Sequence, residues 1–407
     1  MPNMNPTAAH TTTSSNTSQS RRRNVQNYSL IWVDGTIDKS EDEWKNNIEI
    51  VEDIISDINI FKKPEECIPL LNTINMEKIL VITSGFLGEI LVRDIHNLLQ
   101  LDAIYILCGN AARHKAWAEN WSKIQGVFTS INDICDSLKK VVHQIDHNEI
   151  SISFISNQTI MEIASGQRNL DQLELSYMYS VLFKEIILEI DDADLESFNK
   201  LIEYCHQQKV PESQLAYFHH EYHRQSPIWW YTKDLFIYGM LNKALRTFNV
   251  ECMLKMGFFI RKLHQQIEQL YYKQLDDYRE SFTVYRDQAL SQQNFQKLLT
   301  AKDGLLSFNS FLLASKNRKV SMSFVEDSLR KTTDTVGILF IITINQKQIS
   351  TSTTPFAMID DYSAICGEQH ILFTMHTVFH VSEITPTVSN NRLWEVSLTL
   401  TQSHKSL

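Results

Sequence analysis

Only 11 glycines and 8 prolines occur among the 407 residues. That scarcity excludes collagen-like and low-complexity chains. The six cysteines, Cys67, Cys108, Cys135, Cys205, Cys252 and Cys366, form no Cys-x-x-Cys pair. Such wide scatter argues against a disulfide framework and fits a reducing, cytoplasmic setting. The longest apolar run, Val336–Ile344, is far short of the ~20 residues a membrane helix needs, so no membrane span is expected. No apolar stretch marks a secretory leader near the N-terminus. Positive charge is also in deficit, with 38 Lys+Arg against 48 Asp+Glu for a net charge of −10. Sequence-independent nucleic-acid binding needs phosphate-neutralising charge, so that class is set aside.

What is present is an ordinary globular composition, 43% hydrophobic and 21% charged, with length for two or three domains. Charge is unevenly spread. Residues 1–27 carry +3 from Arg21, Arg22 and Arg23, and residues 281–407 hold 11 basic and 10 acidic side chains, so +1. By difference, −10 − 3 − 1, residues 28–280 hold −14. The first 27 residues, rich in Ser and Thr with no acids, read as a disordered tail.

Strand and helix patterns alternate from Tyr28 to residue 145. Leu30–Val33 reads as a buried strand closed by Asp34-Gly35, and Ser40 heads an acid-rich helix start. Trp44, Ile48, Val51, Ile54, Ile55 and Ile58 follow at helical spacing. Strands are predicted at 59–61, 79–83, 103–107 and 127–129, with helices at 90–99 and 131–142. This alternation predicts a three-layer α/β domain on a parallel sheet. The unit resembles a receiver or flavodoxin-like domain. A receiver implies an acceptor Asp after the third strand, where this chain reads Thr83-Ser84-Gly85, so a structural or docking role is expected. Residues 146–172 read as a linker. Helical patterns fill 173–280, at 176–189, 193–206, 214–223, 232–247 and 252–278. Short β-runs dominate 281–402, at 284–285, 304–313, 337–344, 370–381 and 394–400, interrupted by helices near 293–299 and 321–330. The second part is therefore expected to be α+β, a helical lobe followed by a mixed β core.

Two histidine clusters invite a metal reading. His219-His220-Glu221-Tyr222-His223 has the i, i+4 pair of a zinc helix, but His220 stands where a zincin has Glu. Cys366, His370, His376 and His380 have ligand composition, yet on one strand they spread up to ~33 Å, too far for one centre. No metal is expected.

Five segments carry more information: Ser226-Pro227-Ile228-Trp229-Trp230-Tyr231-Thr232 with Phe236–Arg246, then Val284-Tyr285-Arg286, Ser307–Ser315, and Gly367–Phe373. In order and spacing they resemble the arginine-specific mono-ADP-ribosyltransferase family of the Arg-Ser-Glu type, across residues 173–402. The resemblance implies NAD (or NADP) as substrate and transfer of ADP-ribose to an exposed arginine of an acceptor protein. It implies that Arg286, beside Tyr285, clamps the dinucleotide phosphates through charge-assisted contacts. Glu368 matches the glutamate that activates the acceptor guanidinium. Three positions depart from the pattern. Leu313 stands at the ribose-binding Ser and Ala314 at the following Thr, leaving Ser315. His370 stands at the catalytic Glu, removing the negative charge that stabilises an oxocarbenium ion. A preorganised group of that kind contributes ~3–4 kcal/mol, a factor of about 10²–10³ in rate. The family's transfer activity is therefore expected to be impaired or lost. The alternatives are a non-catalytic binding or scaffold protein, whose acidic outer domains suit a basic partner, and a weak NAD glycohydrolase.

Overall fold

The computed structural model describes residues 26–37, 42–74, 77–148, 150–166, 175–190, 194–233, 235–278, 280–331, 335–345, 354–365, 367, 369–388 and 390–401. The first unit alternates β1 (Tyr28–Val33), α1 (Asp42–Glu52), β2 (Ile58–Phe61), α2 (Pro64–Leu71), β3 (Lys78–Ser84), α3 (Gly85–Ile95), β4 (Leu101–Leu107), α4 (Ala111–Ala118), β5 (Ile124–Phe128) and α5 (Ile131–Asn148). All neighbouring strands are parallel, in the order β2-β1-β3-β4-β5. That is the doubly wound order of flavodoxin-like sheets, as the alternation predicts. Both faces of the central strands are buried. Leu30, Trp32, Leu80 and Ile82 pack under α1 and α5, while Ile31, Val33, Ile79 and Val81 pack under α2 and α3. This explains why the strands read as unbroken apolar runs.

The chain then forms β6 (Ile152–Ile155), α6 (Asn157–Ala164) and seven helices: α7 (Leu175–Glu189), α8 (Asp194–Gln207), α9 (Glu212–Glu221), α10 (Pro227–Thr232), α11 (Phe236–Thr247), α12 (Val250–Lys255) and α13 (Gly257–Lys273). The β core follows as β7 (Phe282–Ser291), α14 (Gln292–Thr300), β8 (Leu305–Phe308), β9 (Leu312–Ser315), α15 (Arg318–Lys331), β10 (Thr335–Ile344), β11 (Phe356–Met358), β12 (His370–Phe373), β13 (Thr377–Pro386) and β14 (Leu393–Leu400). Its nine-stranded sheet runs β11-β12-β9-β7-β10-β14-β13-β8-β6 and is mixed, since β10 and β14 are parallel and the other neighbouring strands antiparallel.

Three expectations need correction. The described part of the segment read as a linker, residues 146–148 and 150–166, carries regular structure. It completes α5, adds β6 to the sheet edge beside β8, and forms α6 under a Ser156 cap that accepts from the Thr159 N–H. The single strands expected at 304–313 and 370–381 are each two strands. Their breaks lie side by side, where the His376 N–H donates to the Phe308 carbonyl at 3.0 Å. Phe311 and Met375, at the breaks, are fully buried, so the apolar pattern runs on through both corners. The two breaks send β9 and β12 to one half of the sheet and β8 and β13 to the other.

Candidate functional site

The sheet gathers three motifs that are far apart in sequence. β9 lies between β12 and β7, with Ser315 opposite both His370 and Tyr285. Leu313, two residues back from Ser315, shares its face, and Arg286 follows Tyr285. Tyr231 of α10 fastens this region to the helical lobe: its hydroxyl donates to the Phe311 carbonyl at 3.0 Å and its ring meets Phe311 edge-on. Thr232 Oγ1 accepts from the Ala364 N–H in the loop that leads to β12. Glu368 and Cys366 lie outside the described residues.

Arg286 is 1% exposed, neither a surface residue nor an open clamp. The last turn of α5 holds it. Nη2 donates to the His147 carbonyl at 2.7 Å, and Nη1 to His147 Nδ1 at 2.9 Å and to the Leu313 carbonyl at 3.3 Å. A guanidinium only donates, so His147 Nδ1 must be unprotonated. Its Nε2–H then donates to the Asp287 carbonyl at 3.1 Å and carboxylate at 3.2 Å. Burial first, and the Arg286 charge second, hold the His147 pKa below the ordinary imidazole value, in agreement with this neutral tautomer. The ion pair that a protonated His147 would form with Asp287 is thus not the resting arrangement.

The space beside Leu313 is nearly filled. The cavity there, lined by His143, Asp146, Tyr231, Tyr238, Leu313 and Ile365, has a volume of about 20 Å³. Pockets for small-molecule ligands run to about 300–1,000 Å³. His143, one turn before His147, stacks on Tyr238 of α11 at 6.0 Å between ring centroids. Gly239 makes this approach possible, because a Cβ there would sit 2.6 Å from Asp146 Oδ2. Gly239→Leu is therefore expected to push α5 off the lobe at a cost of about 1–3 kcal/mol. Chemical denaturation of the variant measures that cost, and an unchanged midpoint would refute the close contact.

His370 is 6% exposed, and its N–H donates to Asp360 Oδ1 at 3.0 Å. Burial pushes its imidazole down to about 4, with Asp360 opposing and His147 and Arg286 assisting. At neutral pH it is uncharged. Ser315 Oγ accepts from the Asn317 N–H at 2.9 Å, serving the turn into α15. The other histidine cluster packs on an aromatic: the His219 and His223 rings lie 5.7 and 5.8 Å from Phe198. Among the described residues, no group of three or more His, Cys, Asp or Glu is placed to hold a metal ion.

The residues that close the site, His143, Asp146 and His147, escape sequence reasoning. The predicted helix ends at Val142 because apolar residues thin out there. In the fold α5 runs on to Asn148, with Ile145 buried on the sheet side and the polar residues turned into the second unit. The available signal is the i, i+4 spacing of His143 and His147, which continues the helix on a second face.

The architecture defines a class of protein, a flavodoxin-like α/β unit docked on an α+β core with a closed cleft at β7, β9 and β12. No protein-family model matches the chain, and no curated protein does. Solved structures of ADP-ribosyltransferases match part of the chain. The chain is similar to HopU1 of Pseudomonas syringae pv. Tomato DC3000 at 16% identity and a TM-score of 0.28, covering 36% of this chain and 56% of that one. It is similar to Plx2a, a toxin from Paenibacillus larvae, at 15% identity and a TM-score of 0.31, over 47% and 96% of the two chains. For C3stau2 from S. aureus with NAD the values are 15%, 0.32, 44% and 85%. These are likenesses at low identity and partial coverage, so the functional reading rests on the site itself. Among the described residues no helix is long and apolar enough to cross a membrane.

Proposed function

We propose that this chain is an ADP-ribosyltransferase-fold protein of the arginine-specific type that has lost NAD chemistry and acts as a binding protein. The observation that carries the reading is the capture of Arg286 by α5. Three of the donor contacts a dinucleotide phosphate would take go instead to His147 and Leu313. The chemistry points the same way. Leu313 offers no hydrogen bond to a ribose hydroxyl, and neutral His370 offers no negative charge to an oxocarbenium ion. Tyr285 and Ser315 keep the strand framework, and Glu368 keeps the acceptor-side carboxylate of the motif. With both ribose-side groups replaced, the remaining residues lack the means to cleave the nicotinamide–ribose bond. The −14 held by residues 28–280 suits a partner of basic character.

Incubation with labelled NAD and agmatine or poly-arginine is expected to give neither ADP-ribose transfer nor nicotinamide release above background. Robust transfer by the full chain would overturn the proposal. Nicotinamide release without transfer would assign the weak glycohydrolase activity instead.

A further inference from the structure

A second cavity, about 410 Å³, opens where the α/β unit, the helical lobe and the β core meet. Its volume lies within the range of small-molecule pockets, and it shares no lining residue with the 20 Å³ space beside Leu313. Gln288 of β7 forms part of its wall and is 1% exposed. Both hydrogens of the Gln288 amide are used: Nε2 donates to the Asn148 carbonyl at 3.1 Å and to the Ile150 carbonyl at 2.7 Å. Those two bonds fix which end of the amide is oxygen. Oε1, at the other end, has no hydrogen-bond partner among the described residues. A buried acceptor is rarely left unmet in a folded protein, because desolvation without a hydrogen bond is unfavourable. We propose that the cavity binds a neutral polyhydroxylated molecule of mono- or disaccharide size, one hydroxyl of which donates to Gln288 Oε1.

The rest of the wall selects that chemistry. The Asp102 carboxylate on β4 only accepts, whereas Lys78 on β3 and Arg246 on α11 only donate. A hydroxyl does both, so it meets every side of such a wall, whether or not those ionic groups also pair elsewhere. A fully ionised phosphate only accepts and an ammonium only donates, so neither serves Gln288 and Lys78 alike. Another side is apolar. β6 turns Ser153 and Ile155 inward and sets Ile152 and Phe154, both half-buried, along the cavity near Leu290. A sugar ring has the matching character, with a C–H face for the Phe154 ring and hydroxyls around its edge. The wall is held in place independently of any ligand. Gln144 and Asn148 of α5 both donate to Ser328 Oγ, at 2.9 and 3.1 Å, and Asn148 Oδ1 accepts from the Ala289 N–H at 3.1 Å. The cavity is thus preformed, which lowers the ordering cost of binding.

Saturation-transfer NMR and calorimetric titration of the full chain with glucose, galactose, mannose, ribose, N-acetylglucosamine and maltose test the site. At least one of these is expected to bind at millimolar concentration or below, and added salt should leave its affinity unchanged because the ligand is neutral. Gln288→Met keeps the shape and removes the acceptor, so affinity should fall about 10-fold, the scale of one hydrogen bond. Leu313→Ser, which alters the other cleft, should leave it unchanged. Absence of binding by all six sugars, or equal affinity in Gln288→Met, would overturn the proposal. If Gln288→Met melts below the parent, Phe154→Leu on the half-buried face of β6 carries the same test by removing the ring. The site does not rest on the proposed loss of NAD chemistry, and sugar binding and nicotinamide release are read separately.

Discussion

Acidification from pH 6.5 to pH 4 is expected to remove much of the protein's stability in a single cooperative step. Burial pushes the imidazoles of His143, His264 and His370 down from 6.5 to about 4. His147 shifts in the same direction for the same first cause. In the unfolded chain these groups take up protons near the ordinary value, so the unfolded state binds more protons throughout that window. Stability is therefore complete above about pH 6.5 and declines as the pH falls toward the folded-state values. His143, His264 and His370 each contribute on the order of 3 kcal/mol, against a total of about 5–15 kcal/mol for a folded domain, and His147 adds in the same direction. Three of the four lie around Arg286, where a proton on any of them meets an existing positive charge. On His147 it also removes the acceptor that Nη1 uses. Urea denaturation across this pH range measures the effect. Replacing His143 and His370 by Gln should flatten the curve, and a parent curve that is already flat would show that these side chains are not held neutral.

Arg286→Met is expected to lower stability by about 3–5 kcal/mol, the cost of breaking a buried charged network at one member. The argument turns on what the arginine does at rest. In an open clamp the guanidinium waits for phosphate in solvent, and its removal abolishes ligand binding with little effect on folding. Here it is buried, and three acceptor atoms depend on it: the His147 carbonyl, His147 Nδ1 and the Leu313 carbonyl. Methionine fills much of the volume but leaves those acceptors without a donor, at about 1–3 kcal/mol for each buried group left unmet. Denaturant midpoints of parent and variant decide the matter. An Arg286→Met protein as stable as the parent would mean that α5 does not sit on the arginine in solution.

Much of this arrangement was legible in the residues. Central strands covered on both faces write themselves as continuous apolar runs, so the parallel unit and its alternation follow from Leu30–Val33, Ile79–Thr83 and Ala103–Leu107. The helical lobe follows from 3.6-residue spacing, and Trp230, Tyr231 and Arg286 from motif order. Element ends at the corners were not legible. Phe311 and Met375 are buried at the breaks of their strands, so hydrophobic pattern alone carries no sign that the chain changes direction there.

The sequence by itself determined the chemical inventory: an arginine on a core strand, a leucine and a histidine on strands of the same core, and an acidic stretch over residues 28–280. Whether that arginine was available to a ligand was a different kind of question. Its answer depends on His147, 139 positions away, and on Gly239, whose missing Cβ lets α5 approach the lobe. A helix that packs one face on its own sheet and turns His143, Asp146 and His147 into another unit looks, in one dimension, like a helix ending in polar residues. Only tertiary packing decided that Asp146 is buried and that His143 and His147 are largely covered, because the surface that covers them is assembled from β7, β9 and α11, which follow much later in the chain.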